Sequence, residues 1–443
     1  MIIQKKGPLK GSLKVPGDKS ISHRAIMLGS LSDGITEVEN FLSGDDCIST
    51  ISCFRQLGIS IDLDSNNHRV TIHGKGLDGL TPYEEMLDVG NSGTTIRLLS
   101  GILAGQSFPS IITGDTSLIK RPMGRILTPL KQMDADIKSK YENDCAPLQI
   151  NNSNKLYTED NNPSNESLEL KGIHYTSPVA SAQVKSCVLL AGLYADGETK
   201  VTEPYVSRNH TELMLSEFGA TVNVSNNTTS ILPRPKLTSK KINIPGDISS
   251  AAYFIVAALI VPNSELLIRN VGINPTRDGI LQVCRMMGAD ISLENIRKDG
   301  GEPSADILVR HSNLKGIEIG GSIIPTLIDE IPIIAILSCF AEGKTIIKNA
   351  EELKVKESNR IEVIVKNLTR MGADIIATED GMIINGGKPL HGANIDSRLD
   401  HRIAMAFTVA GLAADGITNI LDPECVTISY PEFFKDVLNL TII

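Results

Sequence analysis

A repeat of about 75 residues runs through this chain and leaves few folds open to it. The segment Leu13-Lys14-Val15-Pro16-Gly17-Asp18 leads into a helix pattern of small residues, then Asp33-Gly34 and the strand-like Thr36-Glu37-Val38-Glu39-Asn40. Ile242-Asn243-Ile244-Pro245-Gly246-Asp247 does the same, through residues 251–260 to Ser264-Glu265-Leu266-Leu267-Ile268-Arg269-Asn270. Weaker copies begin near Leu87, Leu168, Ile317 and Ala393, so the six starts are 74, 81, 74, 75 and 76 residues apart. A second marker recurs at Leu57-Gly58-Ile59, Met133-Asp134-Ala135, Phe218-Gly219-Ala220, Met287-Gly288-Ala289 and Met371-Gly372-Ala373. Each reads as a helix C-cap running into a β-branched, alternating strand. The sixth copy is absent before Ile443, and residues 1–5 are expected to supply the strand that the last unit lacks.

Each unit thus reads as strand, helix, strand, helix and further strand. An open solenoid needs polar capping repeats, and six such units do not make one continuous Rossmann sheet. The expected class is α/β, with two pseudo-threefold domains of three units each, joined by a two-strand hinge. The crossovers are expected at Gly17-Asp18 and Pro245-Gly246, where Pro-Gly-Asp recurs. Residues 1–17 and 246–443 then form one domain and 18–245 the other. The Asn-rich stretch 151–165 reads as a surface excursion.

The net charge is −9, aromatic residues make up 4% and there is no Trp, which argues against a nucleic-acid partner. The seven cysteines form no C-x-x-C pair and several sit in apolar runs, so they read as reduced, packed thiols. No His/Cys/Asp/Glu cluster has metal-ligand spacing, and no metal is expected. The N-terminus lacks an apolar signal core. The longest apolar run, 251–261, has eleven residues, short of the roughly 20 that cross a bilayer. A cytoplasmic protein without a membrane partner is the expectation.

An anion must therefore be met by a local cationic pocket. Gly17-Asp18-Lys19-Ser20-Ile21-Ser22-His23-Arg24 places a Lys, two hydroxyls and an Arg at a helix start, where free N–H groups and the macrodipole attract anions. An ordinary N-cap with solvated Lys and Arg is the competing reading. The equivalent Gly246-Asp247-Ile248-Ser249-Ser250 lacks both cations, which favours function at the first copy. Gly90-Asn91-Ser92-Gly93-Thr94-Thr95-Ile96-Arg97 permits close backbone approach to a ligand, although a tight turn also explains its glycines. Lys120-Arg121-Pro122-Met123-Gly124-Arg125 offers Arg121 as an anion clamp or is a solvated basic turn. Ser177 to Ser186 is hydroxyl-rich at another helix start, and Ser207-Arg208-Asn209-His210 follows it. Taken alone, His210 reads as a capping or solvent-facing residue.

In the C-terminal half, Asp329 and Glu330 precede the apolar run 331–337. Lys356 and Arg360 read as an i,i+4 like-charge pair on one helix, unfavourable without an anion, with Glu357 as either a compensating charge or an acid–base group. Asp400-His401-Arg402 opens a helix of small apolar residues, and its Arg opposes the dipole unless an anion is present. The set suggests two anionic substrates, one of them phosphorylated. No Walker lysine motif or G-x-G-x-x-G is present.

Together, Gly17-Asp18-Lys19-Ser20-x-Ser22-x-Arg24, Gly90-Asn91-Ser92-Gly93-Thr94-Thr95-x-Arg97, Arg121-Pro122-Met123, Lys356-Glu357-Ser358-x-Arg360 and Asp400-His401-Arg402 closely resemble the 5-enolpyruvylshikimate-3-phosphate synthase family, in order and over essentially the whole chain. Gly17-Asp18-Lys19-Ser20, Ser181-Ala182-Gln183-Val184-Lys185, Arg208-Asn209-His210-Thr211-Glu212 and Asn367-Leu368-Thr369-Arg370 are similar to the markers of its class II branch. The resemblance implies two inside-out α/β domains and transfer of the carboxyvinyl group of phosphoenolpyruvate to shikimate 3-phosphate, with no cofactor. It implies Lys19, Ser20, Arg24, Ser181, Ala182, Gln183, Arg208, Asp329 and Lys356 around shikimate 3-phosphate. It implies Lys19, Arg121, Gln183, Lys356, Arg360 and Arg402 around phosphoenolpyruvate, with Asn91, Ser92, Gly93 and Arg97 close by. It also implies that Asp329 takes the hydroxyl proton and that Glu357 handles proton transfer at the methylene carbon, with Lys19 assisting. A monomer is the family expectation.

One departure limits the resemblance: class I members carry a Lys where this chain has Ile428, and no role is carried over there. At Gly93, where a larger residue lets some relatives resist glyphosate, this chain keeps the glycine. A UDP-N-acetylglucosamine enolpyruvyl transferase would share fold and donor, but that family has Lys-Asn in place of Lys19-Ser20 and a reactive Cys absent from Thr113-Gly114-Asp115-Thr116-Ser117-Leu118. A non-catalytic anion-binding scaffold would be favoured by loss of Lys19, Asp329 or Glu357, and all three are present.

Overall fold

A helix that is apolar on every side has to be enclosed by protein, and among the described residues six helices close to this kind organise the chain. The computed structural model describes residues 1–152, 170–299 and 301–440. The chain divides into an inserted unit, Lys19–Ile244, and a terminal unit built from Met1–Asp18 and Pro245–Ile443.

The inserted unit contains α1 (Lys19–Ser30), α2 (Asp45–Gln56), α3 (Gly93–Ala104), α4 (Gly124–Gln132), α5 (Ala182–Gly192) and α6 (His210–Glu217). Of these, α1, α3 and α5 are buried almost all round, whereas α2 and α4 each keep an exposed face. The terminal unit contains α7 (Ile248–Ile260), α8 (Gly279–Met286), α9 (Ile324–Leu327), α10 (Ile331–Cys339), α11 (Arg360–Arg370), α12 (His401–Ala413) and α13 (Phe433–Asn439). Every residue of α7 and α10 is buried, and both pack against α12.

Among the described residues, each unit carries three sheets around these helices. Strands such as Lys344–Ile347 and Ile417–Ile420 alternate exposed and buried residues, so one sheet face meets the helices and the other meets solvent. Helices inside and sheets outside is the inside-out arrangement. A typical repeat pairs two parallel strands across a central helix, Leu87–Asp88 with Ser110–Thr113, and completes the sheet with the antiparallel Ile137–Ser139 and Leu148–Ile150.

The opening strands of the first and fourth repeats are exchanged. Lys10–Lys14 precedes α1 but lies parallel to Glu265–Gly272 of the terminal unit. Lys241–Asn243 precedes α7 but lies parallel to Asp33–Glu39 of the inserted unit. The two Pro-Gly-Asp segments clasp each other: the Asp18 amide donates to the Pro245 carbonyl at 2.8 Å and the Asp247 amide to that of Pro16 at 2.9 Å.

The five helix-to-strand markers share one local device. The amide of Ile59, Ala135, Ala220, Ala289 or Ala373 donates to the carbonyl five residues earlier, at 2.9–3.0 Å, as in a Schellman cap. The residue before it has positive φ, from +62° at Asp134 to +104° at Gly219. A further repeat signal was not read from the sequence: Asp/Glu-Gly-x-Thr at 33, 196, 342 and 415. Its threonine packs on a helix glycine, so a Cβ on Gly29, Gly192 or Gly411 would lie 3.2, 2.8 or 3.0 Å from the Thr36, Thr199 or Thr418 Cβ.

Ile2–Gln4 pairs antiparallel with Ile417–Ile420, and Ile3 belongs to the terminal core. Deleting residues 1–5 is expected to cost the terminal unit about 2–3 kcal/mol from the loss of this one apolar side chain. An unchanged thermal midpoint would refute that. Leu168, a sequence-based repeat start, lies outside the described residues, as does most of 151–165. All seven cysteines are free, and burial pushes the Cys53, Cys187, Cys284 and Cys339 thiols up to about 12. No single described helix is long and apolar enough to cross a membrane.

Candidate active site

In the inserted unit the predicted cations are anchored rather than solvated. Lys19, the first residue of α1, forms a close ion pair with Asp46 in the first turn of α2. Arg24 is 4% exposed and stitches three helices: Nη1 donates to the Ser20 carbonyl at 2.9 Å, Nε to Thr211 Oγ1 at 2.6 Å and Nη2 to Ser186 Oγ at 2.9 Å. The solvated-cap reading therefore fails for both.

The 90–93 turn is held from several sides. Gly90 has φ +57°, and its N–H meets Asp88 Oδ1 at 2.8 Å. Asn91 donates to Asp115 Oδ2 at 2.7 Å and accepts from Arg121 Nη2 at 2.6 Å. Ser92 caps α3. Arg97 Nη1 donates to the Gly93 carbonyl at 3.1 Å and to Gln183 Oε1 at 2.9 Å, while Gln183 Nε2 donates to Thr94 Oγ1 at 3.1 Å. A Cβ on Gly93 would sit 2.8 Å from Arg97 Nη1 and 3.3 Å from Arg121 Nη1, so both guanidinium groups flank this glycine. Lys120 and Arg125 are exposed, and of that basic stretch only Arg121 reaches this cluster.

Ser181 caps α5, with Ala182 as its first helical residue. The Ser181 N–H meets Glu203 Oε1 at 2.9 Å. Arg208 lies in the loop before α6. His210, expected to be capping or solvent-facing, is instead 2% exposed at the first position of α6. Beneath them Lys185, 3% exposed, pairs with Glu203 at 2.9 Å and Glu212 at 2.8 Å. Glu203 also accepts from the Ser207 hydroxyl at 2.8 Å. The sequence reading gave Lys185 no role, because Glu203 sits in no motif.

In the terminal unit the expected helical pair is corrected. Lys356 follows a 3-10 turn, Glu351–Val355, in extended conformation, and Arg360 begins a new helix capped by Asn359. Arg360 is 1% exposed. Its Nε donates to Asp400 Oδ2 at 2.8 Å, Nη2 to Glu357 Oε2 at 2.6 Å and Nη1 to Asp329 Oδ1 at 3.4 Å. Lys356 Nζ meets Glu352 at 2.8 Å and Asp329 at 3.8 Å. Arg402 Nη1 donates to the Asp329 carbonyl at 3.4 Å and lies 3.9 Å from Glu330 Oε1, with Nη2 3.9 Å from Asp329 Oδ2. Burial alone would lower the Arg360 and Arg402 pKa, but Asp400 and Glu357 for the first, and Asp329 foremost for the second, raise both. The protein's own carboxylates thus offset these cations.

The cation-poor repeat start at Gly246 also finds its reason. Asp247 Oδ1 and Ser249 Oγ accept from the buried Arg277 at 3.2 and 2.7 Å, and Asp18 lies 3.5 Å from it. Arg277 belongs to no motif, and no local signal in the sequence marks it.

Cations at helix starts interleaved with buried carboxylates, mounted on threefold α/β units, define an anion-handling enzyme. The model of the family described as EPSP synthase (3-phosphoshikimate 1-carboxyvinyltransferase) matches residues 3–437. The chain belongs to that family. A 3-phosphoshikimate 1-carboxyvinyltransferase of a Thermoanaerobacter species is 57% identical over 433 residues, 98% of each chain. One from Bacillus cytotoxicus is 52% identical over 438 residues, 99% of each. The solved EPSP synthase of Acinetobacter baumannii superposes with a TM-score of 0.87 at 45% identity, covering 100% of this chain and 98% of that one. An enolpyruvyl transferase of Streptomyces tendae, 16% identical, shares the fold with a TM-score of 0.78, over 99% and 96% of the two chains.

Proposed function

We propose that this chain transfers the carboxyvinyl group of phosphoenolpyruvate to the 5-hydroxyl of shikimate 3-phosphate, releasing phosphate. The observation that carries the residue roles is the cluster in which Asp329 and Glu357 both contact the buried Arg360, with Lys356 beside Asp329. Two carboxylates able to exchange protons and cations able to bind anionic oxygens then share one small volume.

Asp329 takes the proton of the 5-hydroxyl as its oxygen attacks C2 of phosphoenolpyruvate. Glu357 delivers a proton to C3, with Lys19 assisting, and the double bond becomes a methyl group on a tetrahedral carbon. In the second step Glu357 recovers a methyl proton, the C2–C3 double bond reforms and phosphate leaves C2. Arg121, Arg360 and Arg402, with Lys356 and Gln183, hold the phosphoenolpyruvate carboxylate and phosphate, and Asn91, Ser92, Gly93 and Arg97 shape that end. Ser20, Arg24, Ser181, Ala182 and Arg208 hold shikimate 3-phosphate, together with Lys19, Gln183, Asp329 and Lys356. The family resemblance also supports a cytoplasmic monomer, which light scattering checks by mass.

The test is phosphate release from phosphoenolpyruvate with shikimate 3-phosphate present or absent. Release that depends on shikimate 3-phosphate is expected; none with either that acceptor or UDP-N-acetylglucosamine overturns the proposal. Gly93→Ala is expected to raise KM for phosphoenolpyruvate about tenfold, because overpacking of a filled site costs about 1–3 kcal/mol. A parallel titration with glyphosate is expected to show a weakening at least as large, and unchanged values for both would separate Gly93 from the donor site.

A further inference from the structure

Four fully buried side chains link α1 to the 90–93 turn: His23, Thr50, Thr95 and Ser92, each 0% exposed. His23 Nδ1 lies 2.7 Å from Thr50 Oγ1, Thr50 Oγ1 lies 2.7 Å from Thr95 Oγ1, and Thr95 Oγ1 donates to Ser92 Oγ at 2.6 Å. The Thr95 amide also donates to Ser92 Oγ, at 3.1 Å.

Counting hydrogens fixes the direction of this chain. Thr95 has one hydroxyl proton and gives it to Ser92, so the Thr50–Thr95 contact must carry the proton of Thr50. Thr50 could instead donate to the Asp46 carbonyl at 3.2 Å, but two hydroxyl oxygens would then face each other at 2.7 Å with no proton between them. With its proton spent on Thr95, Thr50 can only accept from His23, so His23 carries its proton on Nδ1. The other ring nitrogen, Nε2, is buried with no hydrogen-bond partner. Burial, reinforced by Lys19 and Arg24, holds His23 well below the ordinary 6.5, so the ring is neutral. Each member donates onward, and Ser92 Oγ receives both its acceptor bonds from Thr95.

We propose that His23, Thr50 and Thr95 are positioning residues that fix Ser92, and with it Asn91 and Gly93, relative to the α1 turn bearing Lys19 and Arg24. Asn91 is tied separately to Asp115 and Arg121, so the turn is held by two independent sets of bonds. The chain sets the reach of the 91–93 backbone and the Arg97 and Arg121 tips toward the donor substrate. This rests on the enolpyruvyl-transfer reading, in which that turn serves phosphoenolpyruvate.

Valine is nearly isosteric with threonine and removes only the hydroxyl. Thr50→Val and Thr95→Val are each expected to raise KM for phosphoenolpyruvate about five- to tenfold, the weight of one or two hydrogen bonds. KM for shikimate 3-phosphate and kcat should stay within about twofold. Thr50→Ser and Thr95→Ser should restore wild-type values. The Thr50→Val/Thr95→Val pair should be no worse than either alone, as for a chain acting as a unit. Wild-type KM in the valine variants, equal rises for both substrates, or additive effects overturn the proposal. Should the valine variants not fold, nitrogen-15 spectra of wild-type His23 decide: a proton on Nδ1 supports the chain and one on Nε2 overturns it. That spectrum is independent of turnover, so failure of the wild type to release phosphate would sink the reaction and leave the chain separately testable.

Discussion

Glu357→Gln is expected to lower turnover by about 10²–10⁴-fold, the usual weight of a positioned general acid–base group. The amide keeps the shape and can still accept from Arg360 Nη2, now 2.6 Å from the carboxylate, but it cannot donate and recover a proton at C3. Arg360 retains Asp400 at 2.8 Å, so the fold should survive. Shikimate 3-phosphate binding, measured by calorimetry, should be nearly unchanged, because Glu357 is assigned to the donor carbon. Near-normal turnover would remove Glu357 from the mechanism. Lost acceptor binding would make its role structural.

Lys185→Ala is expected to have the largest effect on stability, about 3–5 kcal/mol, because it leaves Glu203 and Glu212 buried without their cation. Both carboxylates are 3% exposed. Glu203 also holds the Ser181 amide and the Ser207 hydroxyl, so both Ser181 and the loop bearing Arg208 should loosen. Burial opposes the Lys185 charge, but Glu212 and Glu203 outweigh it and raise its pKa above the ordinary 10.5. A lysine raised in this way contributes stability that is present below its unfolded pKa and lost as pH rises through the folded one. The Lys185 contribution should therefore be held at neutral pH and lost only in strong alkali, as pH rises through the raised lysine value. Chemical denaturation of Lys185→Ala, then with Glu203→Gln and Glu212→Gln added, should show partial recovery in the triple variant. No loss in the single variant would contradict the cluster's structural weight.

Legibility in the sequence followed the range of the interactions. The five helix-to-strand markers were readable because a Schellman cap closes within six residues. Lys356 and Arg360 were misread as one helix although a local signal was present: Asn359 caps the helix and Glu362 lies three residues on, the capping-box spacing. The crossovers at the two Pro-Gly-Asp segments were readable from their recurrence, but the partner of each exchanged strand was not, since Lys10–Lys14 finds Glu265–Gly272 some 250 residues away.

The sequence by itself determined the repeat, its caps, the helix openings at Lys19 and Arg402, and Arg24, Arg121 and Arg360 as candidate cations. Only the tertiary structure decided their partners: Asp46 for Lys19, Asp400 for Arg360, Asp18 and Asp247 for Arg277. Periodicity and capping are written in contacts spanning a few residues. Charge pairing is set when packing excludes water and each buried cation must keep whichever carboxylates the fold has brought beside it.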